Sequence, residues 1–503
     1  MKLGELLERV PPIETGADQE TEVSSLAYDS RRVRPGCLFF AIQGEKTDGH
    51  RFITEAFQQG AVAVVSERQA PEGLVARWVR VQKIRPALSQ AARRFFDDPD
   101  LKLRLIGITG TNGKTTTAYL LDSILQTAGT RTGMFGTIEY RVGDRVIPAL
   151  NTTPESLDLV EYFSELVANG SQAAVMEVSS HALVQERVWG LHYGAAVFTN
   201  LTRDHLDYHG DFEHYFAAKR RLFEGEGAAA PELAVVNVDD PWGRRLLALA
   251  NPRRITYALE SNAEVSAKQV VQTASGLSAR VTTPQGEIEI ASPLLGRVNL
   301  MNILAATATA VGLGLPAESI QEGVSRLSAV PGRFQKIDEG QPFLVIVDYA
   351  HTDDALQNVL QAARDLTENR LIVVFGCGGE RDRSKRPVMG EIAGRLSDLA
   401  VLTSDNPRGE DPILIMNDVL VGLQKTGKPY VAEVDRHAAV RKALEAAREG
   451  DAVVLAGKGH ESYQVMKDRT IPFDDREVAR AVLLDLGFHS GAPPGKNRNS
   501  RRP

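Results

Sequence analysis

Residues 107–117 read GITGTNGKTTT, a composition that suits phosphate binding. Glycines let backbone N–H groups approach a phosphate closely, Lys114 supplies a positive charge, and the Thr115 hydroxyl is a group that Mg²⁺ can bind. The segment follows the apolar stretch LRLIGITG and precedes the helical pattern AYLLDSILQTAG, so a helix N-terminus adds a favourable dipole. The spacing departs from the strict G-x-x-x-x-G-K-T pattern, because Ile108 stands where its first glycine would be. The order of strand, glycines, Lys-Thr and helix predicts a nucleotide site rather than a plain strand-to-helix turn.

Three further positions in the middle of the chain carry groups that can bind a metal or move a proton. Glu177 ends an apolar stretch and fits the acid that completes Mg²⁺ coordination opposite Thr115. The segment DHLDYH, which contains His205, fits the ligand cluster of a metal-dependent hydrolase, and its alternative is a hydrogen-bonded loop histidine. Lys219 in EHYFAAKRRLF is equally open, because lysines near the start of an amphipathic helix usually face water.

A polar loop, TSDNPRGEDP at residues 403–412, follows the apolar stretch LAVL. Arg408 is its only basic residue. Loops that follow strands in α/β proteins commonly hold ligands, which predicts an anionic group bound by Arg408. The alternative is a surface arginine paired with Asp405 or Glu410.

Composition limits the class of protein. Its 503 residues are too many for one hydrophobic core, and 43% hydrophobic with 24% charged residues is typical of a soluble globular protein. The chain has no run of 18 apolar residues, and MKLGELLERVPP does not resemble a signal peptide, so we expect a cytoplasmic protein without a membrane segment. The two cysteines are far apart in sequence, which argues against disulfides or a thiolate metal site. A net charge of -7 gives no basic footprint for nucleic acid.

The order of apolar and amphipathic stretches predicts a three-domain α/β fold. We expect a small mixed α/β domain at 1–99, a central P-loop-type parallel-sheet domain at 100–333, a C-terminal Rossmann-like domain at 334–490, and a disordered basic tail at 491–503. The third block alternates most clearly, with the strands FLVIVDYA, LIVVFGCGG, LAVLTSDNP and AVVLAGKG separated by helical patterns. Alternation of this kind predicts parallel sheets covered by helices on both faces.

Short stretches spread from about residue 107 to 464 carry a resemblance to a known family. In chain order they are TGTNGKTT, NTTPES, EVSSHALVQERV, TNLTRDHLDYHG, YFAAKRRLF, GRVNLMN, PGRFQ, DYAHTDDAL, GERDRSKRP, DNPRGEDP and GKGHESYQ. The sequence resembles the Mur ligases, the ATP-dependent amide-forming enzymes of peptidoglycan precursor synthesis. Within that family it is most similar to the branch that adds the third residue of the stem peptide. The loop Glu45-Lys46-Thr47, on the uracil side, departs from the family pattern.

The resemblance assigns roles to individual residues. It implies a first domain that binds the UDP-linked substrate, a central domain that binds ATP, and a C-terminal domain that binds the amino acid. It implies catalytic roles for Lys114, Lys219, His205 and Arg333. ATP would contact Gly110, Thr111, Asn112, Gly113, Lys114, Thr115, Thr116, Asn299, Asn302, Arg333 and Asp348. The UDP-linked substrate would contact Tyr28, Ser30, Asn151, Thr152, Thr153, Ser179, Gln185 and Arg187. The amino acid would contact Arg381, Asp405, Asn406, Pro407, Arg408, Gly457 and Glu461.

The resemblance also implies the metal site and the reaction. Two Mg²⁺ ions would lie near Thr115, Glu177, His205 and a carbamylated Lys219, because a carbamate is an anionic oxygen ligand whereas an ammonium repels the metal. The reaction would join meso-diaminopimelate to UDP-N-acetylmuramoyl-L-alanyl-D-glutamate through an acyl phosphate. His205 and His351 are both candidates to accept the amine proton. We expect a monomer.

Several alternative functions stay open on the sequence. The same reaction could use L-lysine or L-ornithine, and a folylpolyglutamate synthase-like ligase would use the same phosphate loop and modified lysine. The folate-type enzyme is disfavoured by the additional N-terminal block and by the full set of residues for the UDP-linked substrate, Asn151, Thr152 and Thr153 with Gln185 and Arg187. Outside the ligases, a metal-dependent hydrolase built on DHLDYH would leave the phosphate loop unexplained, and a nucleotide-regulated binding module would not turn over ATP.

Overall fold

The computed structural model describes residues 1–10, 12–44, 47–249 and 253–489. The expectations for the tail at 491–503 and for Glu45-Lys46 fall outside the described residues. Short 3-10 turns lie at Ser30–Arg32, Gly49–Phe52, Val75–Arg77, Pro99–Leu101 and Gln424–Thr426.

A five-stranded sheet forms the first block. Its elements are α1 Leu3–Leu6, β1 Glu14–Thr15, β2 Ser25–Ala27, β3 Cys37–Phe40, α2 Ile53–Gln58, β4 Ala61–Ser66, β5 Trp78–Arg80 and α3 Ile84–Phe95. The strand order is β1-β5-β4-β3-β2, parallel except at β1. All four residues of β3 are buried, as expected for an inner strand covered on both faces.

The central block is an eleven-stranded sheet with helices on both faces. Its elements are β6 Arg104–Thr109, α4 Lys114–Thr127, β7 Thr132–Phe135, β8 Glu139–Val142, β9 Arg145–Pro148, α5 Ser156–Ala168, β10 Ala173–Glu177, α6 Ser180–Val184, β11 Tyr193–Phe198, α7 Leu206–His209, α8 Phe212–Glu224, β12 Ala234–Asn237, α9 Pro241–Leu246, β13 Arg254–Ala258, β14 Val265–Thr273, β15 Gly276–Thr283, β16 Gly286–Ser292, α10 Arg297–Gly312 and α11 Ala317–Arg326.

The middle of this sheet is parallel and both ends are antiparallel. The order is β16-β15-β14-β13-β12-β11-β6-β10-β7-β8-β9, with antiparallel pairs at β14-β15-β16 and at β7-β8-β9. The predicted parallel sheet therefore forms the middle of the block, and the antiparallel strands at its two ends were not predicted. In β15 buried residues alternate with more exposed ones, which is typical of an antiparallel strand with one wet face.

The strand β6 lies at the centre of the parallel region, between β10 and β11. Leu105 faces one hydrophobic core and Ile106 and Ile108 face the other, so helices cover both sides of the strand. Glu177 pairs with Ile108, and Phe198 pairs with Thr109, so the three strands end at nearly the same level. The loops that follow them meet at one edge of the sheet, where ligands bind in folds of this kind.

The third block is a six-stranded sheet and a small hairpin. Its elements are β17 Gln335–Lys336, β18 Leu344–Asp348, α12 Asp353–Arg364, β19 Leu371–Phe375, α13 Lys385–Leu396, β20 Leu399–Leu402, α14 Pro412–Leu423, β21 Tyr430–Ala432, α15 Arg436–Ala446, β22 Ala452–Ala456, β23 Tyr463–Val465, β24 Thr470–Pro472 and α16 Asp475–Asp485. The order is β17-β18-β22-β19-β20-β21, parallel except at β17. The three-domain α/β fold class is confirmed, whereas the domain boundaries stay predictions.

A fully buried ion pair joins two helix starts to this sheet. Arg436 Nε and Nη2 donate to the Asp475 carboxylate at 2.9 and 2.6 Å, and neither side chain is exposed to solvent. Arg436 Nη2 also donates to the Ala456 carbonyl at 2.9 Å. The pair therefore fixes α15 and α16 against the end of β22.

No helix in the described ranges has the length and apolar composition needed to cross a bilayer.

Candidate functional site

The loop between β6 and α4 has the geometry of an anion site. Gly110 and Gly113 have φ of +151° and +88°. A Cβ on Gly110 would lie 1.9 Å from Thr199 Oγ1, and one on Gly113 would lie 2.4 Å from Asn302 Oδ1, so both positions need glycine. The Thr117 N–H donates to the Gly113 carbonyl at 3.0 Å, which leaves the N–H groups of residues 113–116 without a partner inside the helix. These N–H groups at the start of α4 are placed to bind phosphate.

Two residues that follow β11, Thr199 and Asn200, hold residues 111 and 112 of the phosphate loop by hydrogen bonds. Asn200 accepts from the Thr111 N–H through its carbonyl at 2.8 Å and from the Asn112 N–H through Oδ1 at 2.9 Å. Its Nδ2 donates to the Asn112 carbonyl at 3.1 Å, as does Thr199 Oγ1 at 2.6 Å. Two N–H groups of the predicted phosphate cradle therefore point toward the protein. The sequence analysis missed Asn200, although its place directly after a buried strand was a signal.

Two lysine side chains converge on one backbone oxygen of the loop. Lys114 Nζ and Lys219 Nζ each donate to the Gly110 carbonyl at 2.8 Å, and Lys114 also donates to the Thr111 carbonyl. Lys219 is 1% exposed, because this face of α8 packs into the core. Of the two interpretations of Lys219 left open by the sequence, the water-facing lysine is therefore excluded. Burial lowers the pKa of both lysines, and the Lys114 charge lowers that of Lys219 further.

The predicted metal ligands lie around the same loop. Glu177 is 1% exposed, and its two carboxylate oxygens accept from Thr137 N at 2.9 Å and Thr137 Oγ1 at 3.1 Å. Thr115 is buried and accepts from Arg333 Nη2 at 3.3 Å. The Thr115 hydroxyl and the Glu177 carboxylate are hard oxygen donors, which fit Mg²⁺ when phosphate oxygens and water complete its shell.

The DHLDYH segment does not form a protein metal cluster. Among the residues that the structure describes, no group of three or more His, Cys, Asp or Glu side chains is placed to hold a metal. His205 Nε2 lies 3.3 Å from Asp204 Oδ2, and its ring packs edge-on against His181. Burial lowers the pKa of His205 to about 4, so the imidazole is neutral at pH 7.

The C-terminal block contributes the other side of this site. Arg333 stacks on Tyr349 at 4.6 Å between its Cζ and the ring centroid. Asp348 Oδ2 accepts from the Phe334 N–H at 2.6 Å, and burial raises the pKa of the Asp348 carboxyl to about 6. Asn112 Nδ2 donates across the two blocks to Asp354 Oδ2 at 3.1 Å.

The two predicted asparagines of α10 lie beside the phosphate loop. Asn302 Nδ2 donates to Asn299 Oδ1 at 3.2 Å, and Asn299 Nδ2 donates to the Leu295 carbonyl at 2.9 Å. Asn302 Oδ1 therefore faces the loop at Gly113, where a Cβ would contact it.

Residues predicted to bind the UDP-linked substrate form one network beside Glu177. Thr153 Oγ1 donates to the Glu177 carbonyl at 2.9 Å and accepts from the Ser179 N–H at 3.1 Å. Arg187 donates to the Thr153 carbonyl at 3.0 Å and to Gln185 Oε1 at 2.6 Å.

The remaining predicted substrate residues lie at the edges of that network. Asn151 accepts from the Tyr140 hydroxyl, and Thr152 Oγ1 lies 3.2 Å from Thr137 Oγ1. In the first block Ser30 is buried, and Tyr28 donates to Asp158 of α5.

The loop after β20 packs against the turn after β22. Asn406 Nδ2 donates to Glu461 Oε2 at 2.9 Å, Asp405 is buried, and the Pro407 carbonyl accepts from the Glu410 N–H at 3.1 Å. A Cβ on Gly457 would lie 2.7 Å from Asp405 Oδ2, so the turn approaches the loop closely.

Arg408 and Arg381 line this loop without a carboxylate partner. Arg408 Nη1 donates to the Gly379 carbonyl at 2.7 Å, and Glu410 pairs instead with Arg386 at 2.9 Å. Within the described ranges neither Arg408 nor Arg381 forms an ion pair. The alternative, a surface arginine paired with Asp405 or Glu410, is therefore not what the described residues show. A Cβ on Gly378 would lie 3.0 Å from Arg408 Nη1 and 3.8 Å from Arg381 Cγ, so both arginines border the same space.

Comparison with known families identifies the class of protein that this fold and site define. The chain matches the Mur ligase middle domain over residues 108–310, the Mur ligase glutamate ligase domain over 332–459 and the Mur ligase family catalytic domain over 22–96. The chain belongs to the Mur ligase family.

Individual relatives carry a more particular name. A protein of Solibacter usitatus is 56% identical over 97% of this chain and 99% of its own length, and one of Geobacter metallireducens is 46% identical over 97% and 99%. Both are named UDP-N-acetylmuramoyl-L-alanyl-D-glutamate–2,6-diaminopimelate ligase. A solved structure of that name has a TM-score of 0.69 and 34% identity, and covers 97% of this chain and 100% of its own.

We predict that Asn200→Ala weakens nucleotide binding. The change removes the side chain that holds Asn112 on both its N–H and its carbonyl, so the loop loses its fixed shape. We expect the dissociation constant for ATP to rise roughly thirtyfold, measured by calorimetry, since two hydrogen bonds contribute about 1 kcal/mol each. Asn262→Ala, at an exposed position of the same block, is the control. Unchanged ATP affinity in a folded variant would contradict the clamp.

Proposed function

We propose that this chain joins meso-diaminopimelate to UDP-N-acetylmuramoyl-L-alanyl-D-glutamate, with conversion of ATP to ADP and phosphate. The observation that carries the proposal is Arg408, a guanidinium without a carboxylate partner beside the Asn406–Glu461 pair. The names of the relatives support the same substrate pair. The product would serve peptidoglycan precursor synthesis, and through it cell shape and division.

The first step is phosphoryl transfer. A carboxylate oxygen of the D-glutamate side chain attacks the γ-phosphorus of ATP, the bond from phosphorus to the ADP oxygen breaks, and an acyl phosphate forms. Two anions must approach each other, and Lys114, Arg333 and the N–H groups at the start of α4 lower the resulting repulsion. Arg333 reaches this place through its contact with Thr115 at 3.3 Å.

The second step is attack by the amine. Its nitrogen bonds to the acyl carbon, a tetrahedral intermediate forms, and the bond from carbon to the phosphate oxygen breaks to leave the amide and inorganic phosphate. The amine must lose a proton, and His205 and His351 remain the two candidate acceptors. Burial lowers the pKa of both, so each is a neutral imidazole at pH 7. His351 Nδ1 lies 2.8 Å from the Tyr349 carbonyl, which leaves Nε2 as its acceptor.

We propose two Mg²⁺ ions for this site, held by Thr115, Glu177, His205 and a carbamylated Lys219. Mg²⁺, when bound, neutralises charge on the phosphates and orients them. The lowered pKa of Lys219 supports the modification, because a neutral amine is the form that adds carbon dioxide. The modified group places a negative charge beside the Lys114 ammonium, where burial and the Lys114 charge disfavour a second positive one.

The amine substrate is recognised by charge. Arg408 can bind the distal carboxylate of diaminopimelate through two parallel hydrogen bonds, whereas it repels the ammonium that L-lysine or L-ornithine presents there. Arg381 borders the same space, and Glu461 suits the ammonium at the distal centre. The folylpolyglutamate synthase-like reaction and the binding module without turnover are the alternatives that an assay must exclude. We further propose a cytoplasmic monomer that binds neither nucleic acid nor membranes.

We expect phosphate release only when ATP, Mg²⁺, the UDP-linked dipeptide and diaminopimelate are all present. The assay compares meso-diaminopimelate, L-lysine and L-ornithine as amines, with mass spectrometry of the product. A preference for L-lysine would replace the proposed amine. Release of phosphate without an amide product would remove the ligase proposal.

Arg408→Ala should reduce kcat/KM for diaminopimelate on the order of a hundredfold, because the substrate carboxylate then lies in the pocket without its partner. The preference for diaminopimelate over L-lysine should fall with it. Arg395→Ala, which removes an exposed arginine that pairs with Glu391, is the matched control. An unchanged preference would return Arg408 to a structural role.

Lys219→Ala should lower kcat roughly a hundredfold or more, because a group that stabilises the transferring phosphate is lost. Short carboxylic acids should restore part of the activity, since they can supply the missing anionic oxygen. Lys102→Ala, at an exposed lysine of the same block, should behave as wild type. An unmodified Lys219 in the electron density of crystals of the fully active protein would refute the carbamate role.

A further inference from the structure

A buried lysine lies beneath the amine pocket, at a position to which the sequence analysis assigns no role. Lys458 follows β22 within the turn Gly457-Lys458-Gly459, and its side chain is 0% exposed. Gly457 and Gly459 have φ of +119° and +54°, a conformation that turns Lys458 inward. The side chain of Lys458 therefore points away from solvent and toward the loop after β20.

Three pocket residues surround the buried ammonium. Lys458 Nζ donates to Asn406 Oδ1 and to Glu461 Oε2, both at 3.1 Å, and lies 4.0 Å from Asp405 Oδ1. A buried charge is stable only when it is paired and hydrogen-bonded. Lys458 meets that condition entirely through residues of the amine pocket.

The ammonium fixes the orientation of the Asn406 amide. Asn406 Oδ1 accepts from Lys458 Nζ and from the Val465 N–H at 2.9 Å, while Asn406 Nδ2 donates to Glu461. A flipped amide would place its NH₂ group against two donors and its oxygen against a carboxylate. Lys458 and the Val465 N–H together therefore exclude the flipped state.

The same contacts determine which oxygen Glu461 can offer to a ligand. Its Oε2 accepts from Asn406 Nδ2 at 2.9 Å and from Lys458 Nζ at 3.1 Å. Among the described residues, its Oε1 accepts a long hydrogen bond from the Tyr349 hydroxyl, at 3.4 Å, and no other. Glu461 thus presents one oxygen, in a fixed direction, to an incoming ammonium group.

We infer that Lys458 is a positioning residue for amine selection, which it performs by holding Asn406 and Glu461 and by balancing the charge of Asp405 and Glu461. This inference rests on the proposed function, because it takes the pocket to bind diaminopimelate. Without Lys458 the pocket holds two carboxylates and no buried ammonium between them. A more negative pocket favours the net positive distal end of L-lysine over the net neutral distal end of diaminopimelate.

The test compares wild type, Lys458→Met and Lys458→Gln with diaminopimelate and L-lysine as amines. We expect Lys458→Met to raise KM for diaminopimelate on the order of tenfold or more, with KM for ATP and for the UDP-linked dipeptide within twofold of wild type. The preference for diaminopimelate over L-lysine should fall. Lys458→Gln keeps a neutral donor and should give an intermediate KM, and it carries the comparison if the methionine variant does not fold.

Two controls separate positioning from general loss of structure. Lys442→Met changes an exposed lysine of the same block that pairs with Glu433, and it should match wild type. Asn406→Ala should raise KM for diaminopimelate by itself but add little to Lys458→Met, because the two side chains act as one unit.

The outcomes distinguish this inference from the proposed function. A wild-type protein that does not use diaminopimelate removes both. A wild-type protein that uses it, with an unchanged KM and an unchanged amine preference in folded Lys458→Met, overturns the role of Lys458 alone.

Discussion

Two lysine side chains on one carbonyl oxygen form the contact on which the central site depends. Lys114 and Lys219 both donate to Gly110, at a place where burial already disfavours positive charge. The arrangement is stabilised when anions arrive, and the N–H groups at the start of α4 add to the same attraction. The phosphate loop, Glu177 and Arg333 lie in one region. Its positive charges and free N–H groups favour the binding of an anion there.

Some arginines of the C-terminal block form ion pairs that stabilise the fold, whereas others have no carboxylate partner among the described residues and can bind a ligand. Arg436 is matched by Asp475, and Arg386 is matched by Glu410 and Asp418. Because Glu410 is used by Arg386, it is not available to Arg408. The pairing of neighbours thus explains why an arginine in an acidic loop keeps its guanidinium free of carboxylates.

Strand-end positions were predictable from sequence, and side-chain partners were not. Glu177 and Asp405 were found because each follows an apolar strand, and parallel strands end at a common edge. The antiparallel strands at the ends of the central sheet were not predicted. A strand with one solvent-exposed face, such as β15, has fewer apolar residues and is harder to recognise in the sequence. Asn200 and Lys458 also follow buried strands, but that position alone did not show what their side chains do. Their roles come from hydrogen bonds to residues distant in sequence, and no periodicity reports such contacts.

The link between the central and C-terminal blocks has a mechanical consequence. Gly332 packs closely against Gly459, because a Cβ added to Gly332 would lie 2.1 Å from the carbonyl carbon of Gly459. The next two residues also contact the C-terminal block, Arg333 at Tyr349 and Phe334 at Asp348. This segment is therefore attached to the C-terminal block, although the Arg333 head group touches Thr115 of the central one. Arg333 is thus held by the C-terminal block while its guanidinium reaches into the central block. Val330 is buried in the central core, so the chain passes from one block to the other between Val330 and Gly332, and the Arg333 charge belongs to the same block as the amine pocket.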